Sequence, residues 1–179
     1  MDVVRGRTLV VGLGNPILGD DGVGWSVADE VERWLPPGGT VAIERASLGG
    51  LSLMERLVGY DRAVIVDALH TGAAPVGTVT RLGIDALPDP GAGHTTSVHD
   101  VSLATALAIG RTLGAAVPDE IEVVGVETAP QFEFSQTLSP AVAAAVPTAV
   151  ATVFECLPHG CVSEMSPVLR QEATSHGIP

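Results

Sequence analysis

The sequence predicts an α/β fold, a single domain whose twisted, mostly parallel sheet of about five strands is flanked by helices on both faces. Three observations lead there. Strand-sized apolar runs alternate with helical stretches, in the order β-α-β-α-β over the first seventy residues or so. The runs at Val10-Val11, Val41-Ala42-Ile43 and Ala63 to Val66 are continuously apolar and rich in β-branched residues, which suits central strands covered on both faces. Hydrophobic residues make up 46% of the 179, enough to build a substantial core.

The first strand, RTLVVGL, runs into the glycine-rich loop of GLGNPILGDDGVG. In the helix that follows, Val23, Val27, Val31 and Leu35 recur at i+4 among Asp29, Glu30, Glu32 and Arg33, and Pro36-Pro37-Gly38-Gly39 ends it. TVAIERA is the second strand, GLSLMERLV a short helix and RAVIVDAL the third strand. The turn-rich HTGAAPVG leads into a fourth strand, TVTRLG. DALPDPGAGHTTS is too rich in Pro and Gly for regular structure and reads as an active-site rim. A helix is expected from about Val98 to Leu113 with Ser97 as its cap, then the strand IEVVGVE, the loop TAPQFEFSQTLSP and a final Ala/Val-rich helix that Pro147 kinks. Residues 1–157 form the domain. Periodicity is lost from about Pro158, so residues 158–179 are expected to be a flexible tail.

Charge narrows the chemistry. Nine basic residues face 21 acidic ones for a net of −12, and all nine are arginine. Without lysine there is no Schiff base, phosphate-loop lysine or lysine general base. An acidic field also disfavours nucleic acid, whose binding rests on phosphate neutralisation. Mean hydropathy is +0.37, but no apolar run approaches the ~20 residues of a membrane span. The start of the chain lacks the regions of a signal peptide, so a cytoplasmic protein is expected. Cys156 and Cys161 read as thiols rather than a disulfide framework.

Ligands of open α/β sheets bind outside the carboxyl ends of the strands. Asp20 and Asp21 follow the first strand, Asp67 closes the third, and His94 and His99 flank the start of a helix. Gly14 to Gly19 has phosphate-loop spacing, but the Asp pair stands where Lys and Ser/Thr belong, and a dinucleotide fingerprint fails at Ile17. Asp20 or the Gly19 region is expected to cap the helix that follows, which leaves Asp21 for the crevice. Asp21, Asp67 and His99 make an N/O set in which two negative charges and a neutral imidazole balance a dication. His94 ranks second as the imidazole and His70 third. Ser26 and Ser47 lack the surroundings of an activated nucleophile.

GLGNPILGDDGVG, VIVDAL, SVHDVSL and the late GVE…LSPAV together resemble the nickel-iron hydrogenase maturation proteases, over residues 8–157. The resemblance implies an endopeptidase that trims the C-terminus of a hydrogenase large-subunit precursor, acting as a monomer without an organic cofactor. It places the metal-engaging residues on Asp21, Asp67 and His99, and implies that the nickel comes with the precursor. Where the family commonly carries an Asp before Gly-Gly-Thr, this chain reads ERASLGG with Arg45 at the acid's place, in a loop expected to read the precursor. A non-catalytic, metallochaperone-like nickel-binding module would use the same three residues. GLGNP also opens peptidyl-tRNA hydrolases, but the acid pair and the net charge depart from them.

Overall fold

The computed structural model describes residues 6–36, 38–86, 102–130 and 134–158. His94, His99, Cys161 and all but the first residue of the expected tail lie outside the described residues. The elements run β1 (Thr8–Leu13), α1 (Val23–Trp34), β2 (Val41–Ala46), α2 (Gly50–Leu57), β3 (Arg62–Leu69), β4 (Val79–Gly83), α3 (Leu103–Thr112), β5 (Glu120–Glu127) and α4 (Pro140–Cys156). A 3-10 turn, Gly19–Gly22, precedes α1.

The five strands form one sheet in the order β2-β1-β3-β5-β4. Pairing is parallel throughout except between β4 and β5. Side chains alternate between two cores, as the period of a strand requires. Val10, Val64, Val66, Val124 and Val126 pack with α1 and α4, including Val23, Val27, Val31, Val150 and Phe154. Leu9, Val11, Ile65 and Val123 pack with Leu53 and Leu57 of α2 and Leu107 of α3. The expected helices on both faces are therefore present.

Some local expectations shift. β2 is an edge strand rather than a central one. Its apolar run has another cause: Val41 and Ile43 pack on the α1/α4 layer while Ala42 packs on the α2/α3 layer, so both faces are covered although one edge is free. Arg45 lies inside β2, opposite Gly12, and not in the following loop. From there its guanidinium reaches Asp29 at 2.6 Å and Glu32 at 2.5 Å on α1, fastening the edge strand to the helix. The third helix begins at Leu103, because the side chain of Ser102 accepts from the Thr105 N–H as its N-cap. Leu35 is extended and ends α1 before Pro36. Cys156 is a buried free thiol whose pKa burial pushes up to about 11, so it is no nucleophile. No helix among the described residues is long and apolar enough to cross a membrane.

The first turn of α1 lies directly on the sheet. A methyl group at Gly24 would collide with the carbonyl oxygens of Leu13 and Val66, and one at Gly12 with the Gly24 carbonyl. These are backbone atoms that no rotamer change can move. Gly24→Ala is therefore expected to cost about 3 kcal/mol or more, read as a fall in the denaturation midpoint. Gly83→Ala, with open space around the new methyl, serves as the near-neutral control. Equal midpoints for the two variants would contradict this packing.

Candidate active site

After β1 the chain turns to β2 on one side, and β3 returns on the other, so the carboxyl ends of β1 and β3 flank a topological switch point. The β1 loop is built to bend tightly there. Gly14 has φ +119°, and a side chain at that position would meet the Asp21 carbonyl. The Asn15 side chain accepts from the Ile17 N–H at 3.2 Å, and the Asn15 N–H donates to Asp21 Oδ2 at 2.6 Å. The loop thus folds back on the acid that follows it.

Two neighbouring segments brace the loop. Ser47 Oγ donates to the Gly14 carbonyl at 2.6 Å, and Gly14 N–H donates to Ala46. On the other side Gly19 and Ser135 exchange main-chain bonds with the partner loop, Gly19 N–H to Ser135 O at 2.7 Å and Ser135 N–H to Ile17 O at 3.0 Å. Asp20 is 1% exposed, and its Oδ1 accepts from the Ser139 N–H at 2.6 Å, at the start of α4. It braces α4 and not the helix that follows it in sequence: α1 has Gly22 as N-cap and no side-chain cap bond. The division of labour between the acids stands on burial. Asp20 is structural, while Asp21 is only half-buried.

Asp67 is the first β3 residue beyond the β1 pairing, which ends at Gly12↔Val66; β3 itself runs two residues further beside β5. Its carboxyl therefore leaves the sheet at the switch point. Its pKa is pushed up to about 6. Burial is the main cause, opposed by the Ala68 N–H that donates to Oδ1 at 2.9 Å; the charge of Asp21 raises it further and His70 lowers it. Asp21 and Asp67 are thus brought within electrostatic reach of each other, 46 residues apart in sequence. A part-buried carboxylate beside a second one is costly to ionise, and a divalent cation would offset that cost.

Among the described residues no group of three His, Cys, Asp or Glu forms a metal site. His99 falls outside them, but the N-cap of α3, Ser102, comes three residues after it in sequence, and the short return from α3 to β5 sets the start of α3 on the carboxyl-end rim. On this rim the sequence did not single out Glu127 and Thr128. Glu127, 5% exposed, accepts from Thr71 Oγ1 and the Gly72 N–H, both at 2.7 Å. Burial acts to raise its pKa, but these donors hold it below the usual glutamate value. An acid closing a strand at GVE was the available signal, read there only as part of a family motif.

The hydrogenase maturation protease profile (HycI) matches residues 25–156, which include Asp67 and His99 and begin four residues after Asp21. The chain belongs to the hydrogenase maturation protease family. HupD of Thiocapsa roseopersicina, a hydrogenase expression/formation protein, is 26% identical over 149 residues, 83% of this chain; the match spans 66% of HupD's length. The solved hydrogenase-maturating endopeptidase HybD from E. coli superposes with a TM-score of 0.67 at 26% identity, covering 83% of this chain and 90% of HybD. A HycI maturation protease of Thermococcus kodakarensis, 21% identical, shares the fold with a TM-score of 0.62. The family is one of peptide-bond hydrolases, and membership sets aside the peptidyl-tRNA hydrolase reading of GLGNP.

The raised pKa of Asp67 has a consequence for stability. Because the folded value lies above the unfolded 3.8, the neutral carboxyl's stabilisation is complete below that pH and is lost as pH rises through about 6. Asp67→Asn stays neutral, so its stability relative to wild type should grow across this window, by about 1–3 kcal/mol. Urea denaturation at a series of pH values measures it. Parallel pH dependences for the two proteins would show that Asp67 is solvated.

Proposed function

We propose that this chain is an endopeptidase that removes a C-terminal extension from a nickel-loaded hydrogenase large-subunit precursor, engaging the nickel through Asp21, Asp67 and His99. The observation that carries the reading is the convergence of Asp21 and Asp67 on the β1/β3 switch point in a chain of this family. The nickel is part of the substrate, where it supplies a Lewis acid. This chain's part is to hold it: two carboxylates from two strand ends and an imidazole from the segment before α3 neutralise a dication with three ligands and leave positions for substrate groups.

The described residues offer no covalent route. Ser47 donates to Gly14, Ser26 to the Gly22 carbonyl at 3.5 Å, and Cys156 is buried and protonated. In this reading water is the nucleophile, and specificity resides in the precursor's metal and fold rather than in a general peptide cleft. Casein and short peptides are expected to survive exposure to the protein.

The test is cleavage of nickel-loaded precursor, with cadmium or nickel binding measured by calorimetry on the same variants. Asp67→Asn and His99→Ala should lose binding by more than about 100-fold, beyond the usual effect of a residue that only orients a ligand. His94→Ala should bind as wild type. Asp20→Asn, which retains an oxygen for the Ser139 N–H, should bind the metal nearly as well. Precursor that binds the protein and never shortens would leave a nickel-binding module, and full cleavage by Asp67→Asn would end the metal-engagement mechanism.

A further inference from the structure

The metal set leaves the hydrolysis without an assigned proton carrier, and the rim holds one built for the task. His70 directly follows β3, where the last β3–β5 pair is Leu69↔Glu127. Its ring is exposed at the carboxyl-end rim, yet one nitrogen is tightly held: Nδ1 lies 2.7 Å from Thr128 Oγ1 and 3.5 Å from the Thr128 carbonyl oxygen. The Thr128 hydroxyl has its own acceptor, Leu69 O at 3.1 Å. With the Thr128 hydroxyl donating to Leu69 O, Nδ1 faces two acceptors and carries the ring hydrogen, which leaves Nε2 bare; the carbonyl, which can only accept, favours the same tautomer.

The support beneath the ring is rigid. Thr128 is 3% exposed and its N–H donates to Leu69 O at 2.7 Å, while buried Glu127 fixes the next two residues through Thr71 Oγ1 and the Gly72 N–H. An exposed histidine needs none of this to be soluble. An imidazole that must present one basic nitrogen in a fixed direction does, and orientation of a base by a third group is the general requirement of such catalysis. Other candidates are committed: Asp21 Oδ2 accepts from Asn15, and Asp67 is assigned to the metal.

We propose that His70 is a catalytic residue of the hydrolysis, its Nδ1–H fixed on Thr128 and its Nε2 carrying the proton between water and the leaving amine. Nε2 takes a proton from water as the water oxygen bonds to the scissile carbonyl carbon. It returns that proton to the amide nitrogen as the C–N bond breaks. One water is consumed, a carboxyl and an amine are released, and the imidazole ends neutral.

This inference rests on the endopeptidase reading, and the experiment separates the two. Nickel-loaded precursor is presented to wild type, His70→Ala, Thr128→Val and Thr128→Ser. His70→Ala should lower kcat by about 10²- to 10⁴-fold, the usual worth of a positioned acid–base group. Its KM and its cadmium affinity should stay within about threefold of wild type. Free imidazole should restore part of the rate of His70→Ala and none of that of Asp67→Asn. Nitrogen-15 NMR should find the neutral ring protonated at Nδ1 in wild type and Thr128→Ser, and shifted toward Nε2–H in Thr128→Val. Cleavage by His70→Ala at the wild-type rate, or a loss matched by loss of cadmium binding, would overturn this proposal while the endopeptidase reading stands. Wild type that binds the precursor without shortening it would overturn both.

Discussion

Everything at the carboxyl-end rim depends on how closely the first turn of α1 lies against β1 and β3. Gly12 and Gly24 allow backbone to meet backbone there, and Gly14 lets the loop turn back over itself. Side chains at these positions would lift the helix, and Asp21 with it, away from the end of β3. Glycine spacing that in other folds makes room for a phosphate here makes room for a helix. The two acids at the loop's tip follow from that geometry, one buried to fasten α4 and one half-exposed toward Asp67.

The resulting site is destabilising by construction. Asp67 emerges from an apolar strand into a poorly solvated place near a second carboxylate, and its backbone N–H bond offsets only part of the cost. Such a group is stable when neutral or when a cation arrives. The ion pairs of the described residues lie elsewhere. Arg33, Arg45, Arg62 and Arg81 pair with Glu30, with Asp29 and Glu32, with Glu120 and with Glu122 respectively, on helices and strands rather than at the switch point. With no lysine in the chain, the site's negative potential is left for a cation carried by the substrate.

Element types and order were legible because the apolar periodicities are strong, and the placement of Asp67 followed because an acid after four apolar residues marks a strand leaving a core. Edge and centre were not legible in β2: the alternation of Val41, Ala42 and Ile43 reports which faces are covered, and face coverage does not reveal whether a strand has one neighbour or two. Arg45 was misplaced for a related reason, since a loop inferred by motif gave no hint that Asp29 and Glu32 sit across from it on α1. Asp20 was expected to cap the helix that follows it, whereas it holds the Ser139 N–H, 119 residues away, to which no local pattern points. A separation of 58 residues likewise hid Thr128 behind His70. The ligand expected at His99 lies outside the described residues.

The central claim is that acids from two strand ends share one electrostatic locus, and the titration of Asp67 tests it most directly. Followed by the carbon-13 shift of its carboxyl, Asp67 in wild type should titrate with a midpoint near 6. In Asp21→Asn the midpoint should move down, toward the ordinary carboxylate value but not to it, because burial is the larger cause. A midpoint near the ordinary value in wild type, or one indifferent to the charge at Asp21, would contradict the shared site.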